Sequence, residues 1–318
     1  MIPQEAVDAL IAWYQLQARD LPWRSTRDPY RILVSEIMLQ QTQAERVIPK
    51  YHEFLTLFPT IAALADAPSS EVIRAWSGLG YNRRALNLQR ACQSAIERFD
   101  GRLPDTVDEL LTLPGVGPYT AGAVACFAFE QDVGFVDTNI RRVLHRLVYG
   151  PDVPDALASE RDLAALATGS VPQGRGYEWN QALMELGATV CRARVTECLL
   201  CPVSTWCASR GQMQMAFAEA LLMQKPKQIA FEQTSRYFRG RIVNLLRSSP
   251  PTGMTARELA LGIDEHRDPE DPPWTMTYLS GLIRDGLVVG SEAGVVCEQS
   301  PTYDGATGPE TQRFRLPD

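Results

Sequence analysis

The chain has 318 residues, of which 45% are hydrophobic and 22% charged, so it is long enough for two domains with cores of their own. Its first residues lack the basic and apolar regions of a secretory signal, and no apolar run is long enough to span a bilayer. We therefore expect a cytoplasmic protein. The net charge of −7 argues against a strongly basic surface overall but leaves room for one local cationic groove.

Residues 1–210 are predicted to be mainly helical, because apolar residues recur at helical spacing and Gly or Pro interrupts the segments. Alternating strand patterns are absent from this region. The predicted helices, in chain order, are 7–16, 32–48, 70–76, 85–98, 107–113, 120–129 and 139–148.

Two further segments follow. Residues 211–234 are polar and Gln-rich and are predicted to be a linker. Residues 235–318 differ from both, with helices predicted at 237–247, 255–261 and 274–285, and short strands near 287–289 and 313–316 that flank a loop. That order resembles a small winged-helix domain.

Four cysteines form the most specific local pattern. Cys191, Cys198, Cys201 and Cys207 have the spacing C-x6-C-x2-C-x5-C, which lets one short stretch of backbone surround a metal centre. Four thiolates without a histidine suit either an iron–sulfur cluster or a structural zinc ion. Because four protein ligands leave no open position, we expect a structural role for the metal.

The run LPGVG at 113–117 separates two predicted helices. Gly115 and Gly117 would let backbone N–H groups approach a phosphate, and the N-terminus of the next helix favours an anion. The sequence thus indicates a helix-hairpin-helix that grips a DNA backbone without reading sequence. A tight interhelical turn without ligand is the simpler alternative.

The order of these motifs resembles the endonuclease III superfamily of DNA glycosylases, and most closely its MutY-type adenine glycosylases. The resemblance implies a mainly α, two-lobed helix-hairpin-helix glycosylase fold with a [4Fe–4S] cluster and with DNA held between the lobes. The remaining runs that carry it are LPWR at 21–24, SEIMLQQT at 35–42, GLGY at 78–81, FVDTN at 135–139 and NQALMELG at 180–187.

Glu36 and Asp137 are the predicted catalytic pair, in which one acid holds a proton and the other a charge. Glu36 lies on an apolar helical face, where partial desolvation raises the pKa of a carboxyl. By the resemblance it protonates N7 of a flipped adenine and then helps activate water, and Asp137 stabilises the oxocarbenium-like sugar. Asn139 belongs to the same motif and joins the predicted catalytic set. For Glu36 a solvated side chain, and for Asp137 a plain helix cap, are the simpler alternatives.

Tyr119 stands where bifunctional relatives carry the lysine that forms a Schiff base. Lyase chemistry needs an amine nucleophile, yet the chain has only three lysines, Lys50, Lys225 and Lys227, and none is near the hairpin in sequence. The sequence therefore predicts a monofunctional glycosylase.

The resemblance also assigns residues that would contact the DNA. The arginine pairs 83–84, 141–142 and 192/194 are candidates for phosphate contacts. The residues expected in the base pocket are Arg19, Trp23, Arg24, Leu39 and Gln181, and those expected to insert into or grip the DNA are Gln41, Thr42, Leu79, Tyr81, Gly115 and Gly117.

The chain departs from the family pattern in three places. The tail has no Nudix-like pattern, Asn82 replaces an aromatic residue, and Thr138 replaces a commoner glycine. These departures affect the identity of the base pair. The sequence predicts removal of adenine opposite 8-oxoguanine or guanine, from double-stranded DNA, by a monomer without membrane contact. Removal of thymine or uracil opposite guanine, a non-catalytic iron–sulfur protein that binds damaged DNA, and a zinc-bound adaptor are the alternatives.

Overall fold

The computed structural model describes residues 2–223, 230–263, 272–290 and 312–318, without the side chains of 272–274. The chain forms two compact units, each built from two separate stretches. The first unit contains Met1–Glu36 and Leu103–Pro226, and the second contains Ile37–Arg102 and Lys227–Asp318. The division of the sequence into 1–210, 211–234 and 235–318 stays a prediction.

The prediction of a mainly helical chain is confirmed. The α-helices in the described residues are α1 Gln4–Gln17, α2 Pro29–Leu39, α3 Ala44–Leu57, α4 Ile61–Ala65, α5 Ser69–Ala75, α6 Arg83–Arg98, α7 Val107–Leu110, α8 Pro118–Phe129, α9 Thr138–Val148, α10 Glu160–Gly169, α11 Gly176–Thr189, α12 Met213–Leu222, α13 Ser235–Ser248, α14 Ala256–Ile263 and α15 Pro272–Arg284.

In the first unit, α11 packs against both α1 and α9, and its Trp179, Leu183 and Leu186 are buried. Helix α8 is buried on nearly all sides from Thr120 to Phe127, as expected for a helix that is apolar all round. These packed helices carry several of the polar side chains of the candidate active site.

The single helix predicted over 32–48 is wrong in one respect. Helix α2 ends at Leu39 and α3 begins at Ala44, and between them Gln41 has a left-handed backbone with φ of 56°. Hydrophobic periodicity continues across the break, so the pattern alone did not reveal it. The break matters because it turns the run 40–43 into an exposed corner.

The C-terminal part of the second unit has the element order of a winged helix. After α13 come β1 (Met254–Thr255), α14, α15, β2 (Val289–Gly290) and β3 (Arg313–Arg315), and the antiparallel sheet has the order β1-β3-β2. The sequence did not predict β1. Residues 264–271 and the segment between β2 and β3 lie outside the described residues.

The C-terminal elements share a core with the earlier stretch of the same unit. Ile242, Leu246 and Phe314 belong to one buried cluster with Ile73 of α5 and Leu86 of α6. Because two separate stretches supply one core, the winged-helix-like part and residues 37–102 are expected to be stable as one body.

Helix α12 falls inside the predicted linker. Its sequence, MQMAFAEALL, is rich in Met, Ala and Leu, which are strong helix formers, so the signal was present in the sequence. Among the described residues, no helix combines the length and the apolarity needed to cross a membrane.

Candidate active site

Glu36 is buried in the middle of α2, where only 3% of its surface is exposed. The helix is started by Asp28, whose Oδ1 accepts hydrogen bonds from the backbone N–H groups of Tyr30 and Arg31. The hydroxyl of Tyr119, from the first turn of α8, donates to Glu36 Oε2 at 2.6 Å.

The pKa of Glu36 is raised from 4.5 to about 7, mainly by burial and also by the charge of Asp137, while the Tyr119 hydrogen bond and the charge of Arg24 oppose the rise. The carboxyl therefore holds a proton close to neutral pH. A group with this property is suited to act as a general acid.

Asp137 is the N-cap of α9, as the simpler interpretation of the sequence proposed. Its Oδ1 accepts from the backbone N–H of Ile140 at 2.6 Å, and its Oδ2 accepts from the side-chain amide of Asn139 at 2.9 Å. Burial raises the pKa of Asp137, whereas these hydrogen bonds and the charge of Arg142 favour the ionised form. The cap therefore also fixes the direction in which the carboxylate points.

Arg142 connects this carboxylate to the cysteine-containing loop. Its guanidinium donates to Asn139 Oδ1 at 2.7 Å, to the carbonyl of Cys191 at 2.7 Å and to the carbonyl of Gly187 at 2.7 Å. A Cβ on Gly187 would lie 2.6 Å from the Cβ of Asn139, so this close approach requires a glycine. The arginine is thus occupied by the protein itself, and the prediction that the pair 141–142 contacts phosphate does not fit Arg142.

Glu185 gathers the residues predicted for the base pocket. It is fully buried and accepts hydrogen bonds from Arg19 Nε at 2.8 Å and from Arg24 Nη2 at 2.7 Å. Burial alone would raise the pKa of Glu185, but the two arginines outweigh burial and lower it. Arg24 Nε also donates to Gln181 Oε1 at 3.0 Å.

The bond to Arg24 orients the amide of Gln181. A guanidinium only donates, so the amide turns its oxygen toward Arg24 and its NH2 group away. Trp23 is buried in a short 3-10 helix, and Leu39 is half-buried at the end of α2 in the other unit.

Two turns of the second unit carry the residues predicted to enter the DNA. Gln41 and Tyr81 are both exposed and both have positive φ, 56° and 46°. Thr42 is half-buried and its hydroxyl donates to the carbonyl of Leu79 at 3.4 Å. Leu79 itself is buried, with 4% of its surface exposed.

Arg84 holds these two turns together. Its guanidinium donates to the carbonyls of Ile37, Met38, Gln40, Leu79 and Gly80 and to the hydroxyl of Thr42. The prediction that Arg84 contacts phosphate therefore does not fit, because both of its terminal nitrogens are used inside the unit and its Nε, which has no partner among the described residues, is buried. The neighbouring Arg83 is exposed.

The hairpin is present between α7 and α8. Gly115 has a φ of 76°, a conformation that favours glycine, and Gly117 is the N-cap of α8. Pro118 occupies the first position of α8, where its missing N–H is not needed.

The four cysteines of the predicted metal site line one pocket of the first unit, together with Arg146 and Val190. Arg146 is 1% exposed and donates to the carbonyl of Arg192 at 2.8 Å, which closes the loop around the pocket. Among the described residues, no group of three or more His, Cys, Asp or Glu side chains is close enough together to hold a metal ion. By its chemistry, a set of four thiols around one pocket fits either an iron–sulfur cluster or zinc.

Comparisons with known proteins agree with this geometry. Residues 34–167 match the family model described as "HhH-GPD superfamily base excision DNA repair protein". The chain is 41% identical to the adenine DNA glycosylase of Mycolicibacterium smegmatis over 88% of this chain and 91% of that one. It is 45% identical to that of Mycobacterium tuberculosis over 76% and 78%. The chain belongs to the adenine DNA glycosylase family.

Solved structures share the fold of this family member. A thermostable thymine-DNA glycosylase is 34% identical with a TM-score of 0.59, covering 64% of this chain and 94% of that one. An endonuclease III bound to DNA has a TM-score of 0.58 over 68% of this chain and 100% of that one, and at 23% identity it supports the fold alone.

The family model contains Glu36, Tyr119 and Asp137 but ends before the four cysteines. The M. smegmatis alignment covers 280 residues, or 88% of this chain. Even if all the unmatched residues lay at the C-terminus, the alignment would still extend into the winged-helix-like part. That part is therefore shared at least partly with a mycobacterial adenine DNA glycosylase.

Sequence reasoning missed the residues that hold the site together. Glu185, Arg142, Arg146 and Gly187 act through other residues of the site, and the Tyr119–Glu36 bond joins positions 83 apart in the chain. Glu185 and Gly187 lay inside a run that was singled out, NQALMELG, and a buried acid among apolar helix positions was a usable signal. Nothing local distinguished Arg142 and Arg146 from surface arginines.

Proposed function

We propose that this chain is a monofunctional DNA glycosylase that removes adenine mispaired with 8-oxoguanine or guanine by hydrolysis of the N-glycosidic bond. The observation that carries the proposal is Glu36, a buried carboxyl with a pKa of about 7 that is held by the Tyr119 hydroxyl. It stands in the same unit as Asp137, whose contacts favour a carboxylate.

The first step uses the proton of Glu36. Adenine is a poor leaving group as an anion, and protonation at N7 lets the C1′–N9 bond break with its electron pair going to a neutral base. The Tyr119 hydroxyl holds the carboxyl in place during this transfer. After the proton has left, the Glu36 carboxylate is a base that takes a proton from the attacking water.

The second carboxyl supports the positive sugar. As the bond to the base breaks, positive charge develops at C1′ and the ring oxygen, and a carboxylate directed there lowers the energy of that state. Asp137 is fixed by Ile140 and Asn139 and does not need to reorganise. The oxygen of water then bonds to C1′ and completes the hydrolysis.

Tyr119 is the reason why we expect no lyase step through a Schiff base. At the position where a lysine would form a Schiff base, this chain has a phenol, and burial together with the nearby carboxyls raises its pKa well above 10. The hydroxyl is used to hold Glu36, and a neutral phenol does not replace an amine. The reaction is therefore expected to stop at the abasic site.

The remaining predicted contacts divide between base and backbone. The free NH2 group of Gln181 is directed away from Arg24 and can donate to an acceptor nitrogen of a purine. Gln41 and Tyr81 project from exposed turns, as side chains that fill the gap left by a flipped base must. Gly115 and Gly117 leave backbone N–H groups open to a phosphate. The ligand is double-stranded DNA, and we expect the enzyme to act as a monomer.

We also propose that Cys191, Cys198, Cys201 and Cys207 hold a [4Fe–4S] cluster. When bound, such a cluster would fix the loop 191–207 by four covalent links and would supply no open coordination site for the reaction. Arg146 adds a buried positive charge beside Cys191 Sγ, 3.6 Å away, which offsets the negative charge of thiolate ligands.

The test is a panel of synthetic duplexes scored for the base that leaves. We expect adenine to leave opposite 8-oxoguanine and guanine, and Glu36→Gln to slow that step by roughly 10²-fold or more while binding to DNA remains. Glu97→Gln, a change of an exposed acid on α6, is the matched control and should leave the rate unchanged. Full activity of Glu36→Gln would contradict the assignment.

The similarity to a thymine-DNA glycosylase of known structure gives the same panel a second use. Predominant loss of thymine or uracil opposite guanine would replace adenine as the substrate while keeping the catalytic pair. Loss of no base in any duplex would favour a binding protein without catalysis.

A further inference from the structure

The second unit contains a cleft of about 790 Å³, and the function proposed above uses only Gln41 and Tyr81 of the residues that line it. Both stretches of this unit line it: Gln41 and Tyr81 belong to the first stretch, and Arg236 and Arg241 of α13 belong to the second. A cleft of this size is in the range that holds a small ligand or a segment of a polymer.

The cleft is strongly cationic in a chain with a net charge of −7. Seven arginines line it, and Asp285 is the one acidic side chain among its described lining residues. Such a local concentration of one charge raises the local concentration of oppositely charged ligands even when the whole protein has the other sign. The ligand is therefore expected to be anionic.

Four of these arginines are committed to the protein. Arg84 bonds the carbonyls described above, and Arg247 donates to Asn82 Oδ1 at 2.8 Å and to the carbonyl of Ile73 at 3.1 Å. Arg83 and Arg239 both pair with Asp285. These four shape the cleft, and they do not determine what it binds.

The other three arginines keep their charge available. Arg46 and Arg236 are exposed and have no ion pair among the described residues. Arg241 is exposed as well, and within the described part of the chain it donates only to the carbonyl of Gly262, at 3.2 Å. Exposed arginines without a carboxylate suit bidentate binding of phosphate.

An aromatic side chain lies among these cations. The guanidinium of Arg236 lies over the ring of Tyr81 at 4.6 Å from its centroid, and Arg84 lies 5.5 Å from the same centroid. Tyr81 is 37% exposed and has a left-handed backbone after Gly80, which also has positive φ. The turn thus presents an aromatic ring on the surface instead of placing it in the core.

We propose that this cleft binds one strand of DNA, with phosphates on Arg46, Arg236 and Arg241 and with a base stacked on Tyr81. Arginines that follow a backbone, combined with an aromatic face, are the usual features of a groove for single-stranded nucleic acid. The winged-helix-like part of this chain is then a part of the DNA-binding surface. This inference rests on the proposed function, which takes DNA as the ligand and already places Tyr81 against it, and it adds the three arginines of the cleft.

An acidic protein segment is the other polyanion that an arginine cleft could attract. The exposed tyrosine favours nucleic acid, because stacking needs the flat face of a base and carboxylates do not provide one. The following measurements separate the two, since only DNA binding at the cleft gives a salt slope that depends on Arg236 and Arg241.

The first experiment measures binding of the full chain to a fluorescein-labelled duplex with a central adenine opposite guanine, at several salt concentrations. Each phosphate contact contributes about 0.9 to the slope of log K against log salt. We expect Arg236→Ala/Arg241→Ala to lower that slope by about 2 and to weaken binding at each salt concentration. Arg257→Ala, which removes an exposed arginine of the same domain outside the cleft, is expected to leave the slope unchanged.

The single variant Arg236→Ala separates a loss of DNA contacts from a loss of folding. The Arg236 side chain makes no hydrogen bond among the described residues, so its removal should leave the thermal unfolding midpoint unchanged. We expect it to lower the slope by about 1. Identical slopes for wild type, the single variant and the double variant would overturn the proposal. Binding is scored without excision, so an enzyme that removes no adenine but loses slope in these variants would refute the proposed function and support the cleft.

A double-mutant cycle with Tyr81→Ala tests the pairing of ring and cation. If Arg236 and Tyr81 act together on one nucleotide, the fold-loss of affinity in the double variant should be smaller than the product of the two single losses. Losses that multiply independently would contradict a shared binding site.

Discussion

The middle of α2 and the N-terminus of α9 both carry a buried carboxyl of the first unit, and burial raises the pKa of both. For Glu36 the described residues supply one neutral hydrogen-bond donor, Tyr119, and the carboxyl keeps a proton near pH 7. For Asp137, hydrogen bonds from Ile140 and Asn139 and the charge of Arg142 oppose the effect of burial and favour the ionised form. The number and charge of the partners therefore favour a proton donor at Glu36 and an anion at Asp137.

The largest effect is expected for a substitution that removes the charge of Asp137 and keeps the shape of its side chain. Asp137→Asn retains an oxygen that caps α9 by accepting from Ile140, since asparagine is a good N-cap, but it removes the negative charge that faces the sugar. We expect the single-turnover rate of adenine excision to fall roughly 10²- to 10³-fold, measured by quenched-flow cleavage at the abasic site.

The control for this change is Asp162→Asn, another acid at the start of a helix in the same unit. Asp162 is the N3 partner in the capping box of α10, so its loss should lower stability slightly and leave the excision rate unchanged. Equal effects of the two substitutions on the rate would mean that Asp137 is only a cap.

The second prediction concerns the free energy of unfolding and its dependence on the ionisation of Glu36. A carboxyl whose pKa is raised from 4.5 to about 7 on folding binds its proton more tightly in the folded state. The protonated Glu36 therefore contributes fully to the free energy of unfolding below pH 4.5. This contribution, roughly 3 kcal/mol in total, is lost as the pH rises through 7.

Glu36→Gln should therefore be more stable than the wild type at pH 8.5, and the gain should shrink toward pH 5. The measurement is the thermal unfolding midpoint of both proteins across that range, with Glu97→Gln as the exposed control. A variant that is destabilised equally at all pH values would show that Glu36 is held as an ion.

A third, smaller effect is expected where the cysteine loop meets Asp137. Arg142→Lys keeps the charge but cannot make the planar set of bonds to Asn139, Gly187 and Cys191. Because Asn139 would lose its support, we expect excision to slow by roughly tenfold while the visible absorption of the cluster is retained. Arg161→Lys, a change of an exposed arginine on α10, is the control and should have no effect on the rate.

These comparisons also show which parts of the site a sequence can reveal. Glu36 and Asp137 were found because each lies in a local pattern, an apolar helical face and a helix N-terminus, and periodicity over a few residues is enough to see both. Tyr119 was placed correctly as the residue that replaces an amine, but its bond to Glu36 depends on how two distant helices pack, which no local pattern contains.

The arginines show the limit more clearly. Arg84 and Arg142 were predicted to contact phosphate because they stand in basic pairs, yet each donates mainly to backbone carbonyls that become available where helices end. The exposed Arg236 and Arg46, which have no such neighbours in the sequence pattern, carry the free charge instead. Whether an arginine is structural or available depends on unpaired carbonyls nearby, and these are set by tertiary structure.

The smallest predicted effect tests the one bond that links the proton donor to α8. The Tyr119 hydroxyl lowers the pKa of Glu36, so Tyr119→Phe should raise that pKa above about 7 and keep the acid protonated to higher pH. The falling alkaline limb of the single-turnover pH profile should then move upward by about one pH unit, with a rate at pH 6 close to that of the wild type. Tyr177→Phe removes a hydroxyl that bonds the carbonyl of Arg24 instead and should leave the limb in place. A limb that moves downward in Tyr119→Phe would mean that the phenol stabilises the protonated acid, and the roles of burial and hydrogen bonding at Glu36 would have to be exchanged.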